Sequence, residues 1–145
     1  INDKFREINI NLDLTDQELN FLFDPEQMTQ VMLNLLGNAA DAISASGKTI
    51  KIKTFLDEDT KTVNLEVEDN GEGIAKEHMG KLFTPFFTTK ETGEGTGLGL
   101  PIVYGIIKMH KGQISVESEE QNGTKIKIKL PFLQEETKNK KQQLF

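Results

Sequence analysis

Four glycines stand at alternate positions in "GEGTGLGL", residues 93–100, and the chain then runs directly into the apolar stretch "LPIVYGII". Glycine is costly to order, so this density implies a backbone that bends tightly or approaches something closely. At the mouth of a helix the usual partner is an anion, held by backbone N–H groups and the positive end of the helix dipole. A plain surface loop is the competing reading. The familiar phosphate loops do not fit: Gly47-Lys48-Thr49 supplies the end of a P-loop, but Ala42 occupies the place of its first glycine. The dinucleotide pattern G-x-G-x-x-G is missing too, because these glycines keep a spacing of two.

Two other groups carry chemistry. If residues 25–44 form a helix, Asn34, Asn38 and Asp41 fall in one stripe with Gln27 and Gln30, opposite Met28, Val31, Met32, Leu35, Leu36, Ala39, Ala42 and Ile43. A solvated helix face favours Lys, Glu and Arg, whereas Asn is a mediocre helix former. Two Asn and an Asp in register look like groups kept for their oxygens, which is what Mg²⁺ takes; a solvated face is the alternative. In "TVNLEVEDNGEGI", residues 62–74, the alternation of Val63, Leu65 and Val67 turns Asp69 inward. Thr124 is in phase with Ile126, Ile128 and Leu130, so both residues could converge on one ligand. An ionised carboxylate only accepts hydrogen bonds; it would welcome the exocyclic amine of adenine and repel the O6 of guanine. Taken alone, Asn70-Gly71 would be read as a hairpin turn.

The elements that position these groups follow from hydrophobic period. Alternation predicts strands at Ile8 to Leu14, around Ile50 and Ile52, Val63 to Val67 and Ile126 to Leu130, each with one dry face, with shorter candidates in "LNFLF", 19–23, and "QISVES", 113–118. Helical period predicts Pro25 to Ser44, with Asp24 as N-cap and Gln27 completing a capping box. It also predicts a helix from Gly99 to His110 and a short one near Ala75 to Leu82. The order ββαββ(α)αββ implies a two-layer α/β sandwich, a sheet covered on one face by helices and solvated on the other. At 145 residues the chain fits one domain, and there is no internal repeat. No apolar run reaches a membrane span and no signal peptide is apparent. Zero cysteines exclude a disulfide scaffold and a thiolate metal site. The net charge of −6 makes a poor partner for nucleic acid. The start on Ile1 reads as a fragment of a longer chain, and the polar stretch from Gln134 as a frayed tail or linker remnant.

"NLLGNAADAI" resembles the N box, "DNGEGI" the G1 box, "LFTPFF" the F box and "GTGLGL" the G2 box of the histidine kinase catalytic domain, a Bergerat-fold (GHKL) ATP-binding module. The four occur in the family's order and cover most of residues 24–130. The resemblance implies a mixed sheet of the Bergerat type over 8–133, a stub of an upstream link at 1–7 and a tail at 134–145. It implies ATP with Mg²⁺ as cofactors: Asn38 coordinates the ion, Asn34 and Asp41 assist at the phosphates, and Asp69 binds adenine N6. Gly71 and Gly73 let the backbone pass near the base, and a lid from about Ile74 to Thr96 closes over the nucleotide. Gly95, Gly97 and Gly99 then bend the end of the lid so that N–H groups meet the phosphates. Ile74, Phe86, Thr88, Thr89, Thr96, Leu98, Leu100 and Thr124 complete the expected nucleotide contacts, with Phe83, Phe86 and Phe87 mainly anchoring the lid. Lys90 is the expected γ-phosphate contact, an ordinary exposed lysine being its alternative.

Asn34, Asn38 and Lys90 are thus the expected catalytic set. In the gyrase, mismatch-repair and chaperone ATPases and the serine kinases of the superfamily, the resemblance places a glutamate where Asn34 stands. Asn cannot take up a proton as a general base, which favours transfer to a histidine. Neither His78 nor His110 lies in anything like the family's phosphoacceptor H box, and His110 is explained by a helix C-terminus before Gly112. The expected partners are an upstream dimerisation domain carrying that histidine, through which the parent dimerises, and a response regulator; the isolated domain is expected to be a monomer. A cytoplasmic location is expected, leaving open a membrane anchor in the parent. A GHKL ATPase or serine kinase, or a non-catalytic nucleotide-binding module, are the competing functions.

Overall fold

The first long helix begins where Asp24 stops the preceding chain. Its carboxylate accepts the backbone N–H groups of Glu26 and Gln27, and Pro25 occupies the first helical position, where a missing N–H costs nothing. A computed structural model describes residues 7–18, 21–43, 48–89 and 97–132. Its elements are β1 (Asn9–Asp13), α1 (Pro25–Ala42), β2 (Thr49–Asp57), β3 (Thr62–Asp69), a 3-10 helix (Lys76–Lys81), α2 (Gly99–Met109), β4 (Gln113–Ser118) and β5 (Thr124–Pro131). The strands form one mixed sheet in the order β1-β2-β3-β5-β4; β1 pairs with β2 in parallel and the other pairs are antiparallel.

Both helices lie on one face, which is the expected two-layer sandwich. Val31, Leu35 and Ala39 of α1 and Val103, Ile106 and Ile107 of α2 close the core over Ile50, Ile52, Val67, Ile126, Ile128 and Leu130. Each large aliphatic side chain buried there contributes about 1.5–3 kcal/mol relative to exposure. The opposite face carries rows of alternating charge: Lys51 and Lys53 on β2, Glu66 and Glu68 on β3, Lys125 and Lys127 on β5, and Glu117 on β4. Lys125 meets Glu68 at 3.4 Å and Lys127 meets Glu117 at 2.5 Å. That face is solvated, as the alternation requires.

Several boundaries differ from the sequence expectation. Residues 21–24 are not a strand, and the rest of "LNFLF" lies outside the described residues, so the order holds one strand fewer. Phe21 instead packs against the core and stacks with Phe23 at 5.0 Å, so this run anchors the entry to α1 through side chains. β1 does not have a dry face: Ile10 is 44% and Leu12 63% exposed, because α1 packs on β3 and α2 and leaves the edge strand uncovered. Ile8 and Leu14 fall outside it. α1 ends at Ala42, whose carbonyl accepts the N–H of Glu72 at 2.9 Å. The short helix is 3-10 and spans Lys76–Lys81, and α2 ends at Met109.

At the end of α2, His110 contacts a last-turn carbonyl, as expected of a histidine at a helix C-terminus, and makes a second bond besides. Its Nδ1 lies 2.8 Å from the Ile106 carbonyl and its Nε2 accepts the Asp24 N–H at 3.0 Å. Bonded at both ring nitrogens, His110 straps the start of α1 to the end of α2. The Asp24 N–H is thereby taken by His110 instead of by Gln27 in a capping box. The left-handed residue after the helix is Lys111 (φ 58), ahead of Gly112.

Candidate nucleotide site

β3 ends on Asp69, and its register partner on β5 is Thr124. The two are 7% and 9% exposed and face inward, as their phase with Val67 and Ile126 requires. The Asp69 Oδ1 accepts the Gly71 N–H at 2.9 Å. Burial pushes the Asp69 carboxyl above the ordinary aspartate range, the N–H groups of Gly71 and Thr124 oppose that, and the nearby Glu68 and Glu72 charges add to it. The loop after Asp69 is tied on both sides. The Asn70 Oδ1 accepts the Thr49 N–H at 2.9 Å, and the Gln121 N–H reaches the Glu72 carbonyl at 2.6 Å. Gly73, at φ 72, passes so close to the β4–β5 turn that a Cβ would lie 2.0 Å from the Glu119 carbonyl oxygen. The close approach that glycine permits here is between two parts of the protein's own backbone.

Across the cleft stand Asn34 and Asn38 of α1. A Cβ on Gly99, the first residue of α2, would lie 3.9 Å from the Asn34 carboxamide and from the Asn38 Nδ2, so both asparagines meet the N-terminus of α2. The Asn34 Oδ1 accepts from the Gln30 Nε2 at 3.4 Å. The Asn34 Nδ2 is buried and has no hydrogen-bond partner among the described residues. A buried unsatisfied donor costs about 1–3 kcal/mol, and an anion in the cleft would relieve it.

The two stems of the expected lid are pinned together. The Phe86 N–H donates to the Gly97 carbonyl at 2.9 Å, and a Cβ on Gly97 (φ 68) would lie 2.3 Å from the Phe86 backbone. Phe86 itself has φ 67, and its side chain is 74% exposed, outside the cleft. Phe87 lines the cleft instead, its ring 5.4 Å from that of His78, while Phe83 packs on Tyr104 at 5.2 Å.

Asn34, Asn38, Asp41, Asp69, Gly73, Ile74, Thr88, Thr89, Gly97, Gly99, Leu100 and Thr124 all border one cleft of about 870 Å³, in the range of small-molecule sites. Gly71 is buried behind Asp69, and Leu98 caps α2; neither borders the cleft, and Phe86 is the third expected contact that does not. Lys90, Gly95 and Thr96 lie outside the described residues. The sequence reading missed His78, Leu82 and Phe87 as lining residues, and Ser118, which is bonded to Ile74 and Thr124 of the lining. Ser118 had a signal: it is in phase with Ile114 and Val116, the same argument that found Asp69. Among the described residues no group of three or more His, Asp or Glu could hold a metal, and no helix is long and apolar enough to cross a membrane.

Boxes, fold and cleft together define an ATPase-type nucleotide-binding domain. A family model described as histidine kinase-, DNA gyrase B-, and HSP90-like ATPase matches residues 23–134. The catalytic domain of histidine kinase ThkA superposes with a TM-score of 0.72 at 34% identity, over 89% of this chain and 83% of ThkA's. The chain belongs to this family, in its histidine kinase branch. Sensor histidine kinase ZraS of Escherichia coli (strain K12) is 40% identical over 126 residues, 87% of this chain and 26% of ZraS. Full-length ShkA in complex with AMPPNP has a TM-score of 0.74 at 26% identity, over 87% of this chain and 26% of ShkA. The chain spans about a quarter or less of the length of the curated relatives it matches.

Proposed function

We propose that this domain binds ATP with Mg²⁺ and donates the γ-phosphoryl group to a histidine on a helical dimerisation domain of its parent, for relay to a response regulator. The observation that carries the reading is the convergence of Asp69 and the Asn34–Asn38 pair on one cleft in a chain of the histidine kinase type. Asp69, a carboxylate with acceptor capacity left beside the Gly71 and Thr124 N–H groups, receives the adenine amine. The Asn34 Nδ2, left without a partner, turns to a phosphate oxygen, and the N–H groups at the start of α2 serve the same triphosphate. Asn38 offers the oxygen for Mg²⁺, which binds through one or two protein oxygens plus phosphates and neutralises phosphate charge. Asp41 assists at that end, and Lys90 meets the γ-phosphate.

Asn34 cannot act as a general base, so the nucleophile must bring its own lone pair, as an imidazole nitrogen does. That nitrogen bonds to the γ-phosphorus as the bridging P–O bond breaks, and ADP leaves with the electron pair. His110 is bonded at both nitrogens, and neither it nor His78 lies in anything like an H box, so the reading places the acceptor on the helical domain. The reading takes 8–133 as the catalytic domain, 1–7 as the stub of the link and 134–145 as a tail; the chain alone is a monomer facing the cytoplasmic ATP pool.

The test gives the isolated chain MgATP and then adds the helical domain, in trans or fused. Nucleotide binding without acid-labile phosphohistidine is expected at first, and transfer to the added domain afterwards, faster when fused because tethering raises effective concentration. Phosphate on His78 or His110 of the isolated chain would overturn the two-part reading. Steady hydrolysis by the isolated chain would favour an ATPase.

A further inference from the structure

Ser118, at the end of β4, is register partner to Thr124 and sits behind it as seen from the cleft. Its Oγ is 2.9 Å from each of three groups: the Ile74 N–H, the Gly123 carbonyl oxygen and the Thr124 Oγ1. A hydroxyl has one proton to donate and two lone pairs to accept with. The Ile74 N–H can only donate and the Gly123 carbonyl can only accept, which leaves one role for the third bond. The Ser118 proton goes to Gly123, and the Thr124 hydroxyl donates its only proton to Ser118.

We infer that Ser118 is a specificity-setting positioning residue: by taking the Thr124 proton it turns the cleft-facing side of Thr124 into a pure acceptor. Asp69, the register partner of Thr124 on β3, is also an acceptor when ionised. In the pose that sets the purine 6-substituent against these two strand ends, both acceptors meet the N6 protons of adenine, while the O6 of guanine finds no donor there. Through the Ile74 N–H the same hydroxyl fixes the loop that follows Asp69. The inference rests on the adenine reading of Asp69 and goes beyond it, since Ser118 lies outside the cleft lining.

Without Ser118 the Thr124 hydroxyl is free to rotate and donate at that position, which serves the O6 of guanine and not the N6 of adenine. Calorimetry of the whole chain with MgATP and MgGTP reads this as the ratio of the two affinities, with thermal melts to verify folding. Ser118→Ala and the weaker acceptor Ser118→Cys are expected to narrow the ATP-over-GTP preference by about tenfold, and Ser118→Thr to preserve it. In a Thr124→Val background, where no hydroxyl is left to orient, Ser118→Ala should leave the ratio unmoved. A merely structural Ser118 would lower both affinities together, and that result overturns the inference, as does an equal further change in the Thr124→Val background. Equal wild-type affinity for ATP and GTP would bring down the Asp69 reading and this inference with it. A wild-type preference that survives Ser118→Ala and Ser118→Cys brings down this inference alone.

Discussion

At the end of the cleft proposed for the base, polar groups are engaged by the protein before any ligand arrives: Asp69 by the Gly71 N–H, Thr124 by Ser118, and the intervening loop by Thr49, Ala42 and Gln121. At the phosphate end Asn34 keeps a buried donor without a partner among the described residues, next to the first turn of α2. The difference follows from the elements that carry them. Adjacent strand ends sit in fixed register, so a base can be read by groups that do not move. A helix face and a helix N-terminus offer N–H groups that wait for an anion. On the proposed reading, one end serves selectivity and the other an affinity that appears only when charge is supplied.

The largest effect is expected at the base end. Asp69→Asn puts a carboxamide where the amine needs a charged acceptor, and ATP affinity should fall by about a hundredfold, as for a hydrogen bond to a charged group lost in a buried site. Calorimetry checks it, and an Asp69→Asn variant binding ATP undiminished would end the adenine assignment. At the phosphate end Asn38→Ala should weaken MgATP by about tenfold and abolish most of the advantage of Mg²⁺ over metal-free ATP. A variant with full magnesium dependence moves the ligand role to Asn34.

Asn34 sharpens the contrast further, because affinity and stability should separate there. Asn34→Ala removes a buried donor that the free protein does not satisfy, so the nucleotide-free domain should be no less stable, and up to about 1 kcal/mol more stable, in urea denaturation. Nucleotide affinity should fall at the same time. A loss of several kcal/mol in the free protein would mean that the Asn34 amide is satisfied internally and is not waiting for phosphate.

How much of this was legible beforehand follows the same division. Alternation alone placed Asp69 and Thr124 inward, and they are register partners. The same alternation turns Ser118 inward, in phase with Ile114 and Val116 on β4. The asparagine stripe was legible from helical period, and so was the core of α1. What failed was local competition between equally apolar segments. "LNFLF" has strand composition, but Asp24 fixes a helix start immediately after it and Phe21 is drawn into the core. β1 has a strand's alternation but sits at the sheet edge with Ile10 and Leu12 exposed, which sequence period does not reveal. Phe86 and Phe87 are adjacent and identical, so composition does not tell which one faces the cleft; the backbone is left-handed at Phe86, and Phe87 is the one that lines it.

The smallest expected effect tests the electrostatics of the base end. Burial raises the Asp69 carboxyl above the ordinary range, so folding favours its protonated form. The stability it contributes is fully present below the unfolded value, where both states hold the proton, and is lost as pH rises through the raised folded value. Above that the free domain carries a buried carboxylate at a cost, and the adenine amine needs that carboxylate ionised. Across one pH window, stability contributed by Asp69 should therefore fall while ATP affinity rises. Glu7, Asp57 and Glu117 are held below their ordinary values by hydrogen bonds, to Lys48, Thr60 and Lys127 respectively, and their contributions run the other way, lost as pH falls. The total slope of stability against pH is thus no guide to Asp69; the difference between wild type and Asp69→Asn isolates it. That difference, followed by urea denaturation without nucleotide from mildly acidic to neutral pH, should move progressively in favour of the Asp69→Asn variant. If the two proteins instead keep a constant gap across the range, Asp69 is not held above its ordinary value, and the protein does not maintain its adenine acceptor at the expense of its own stability.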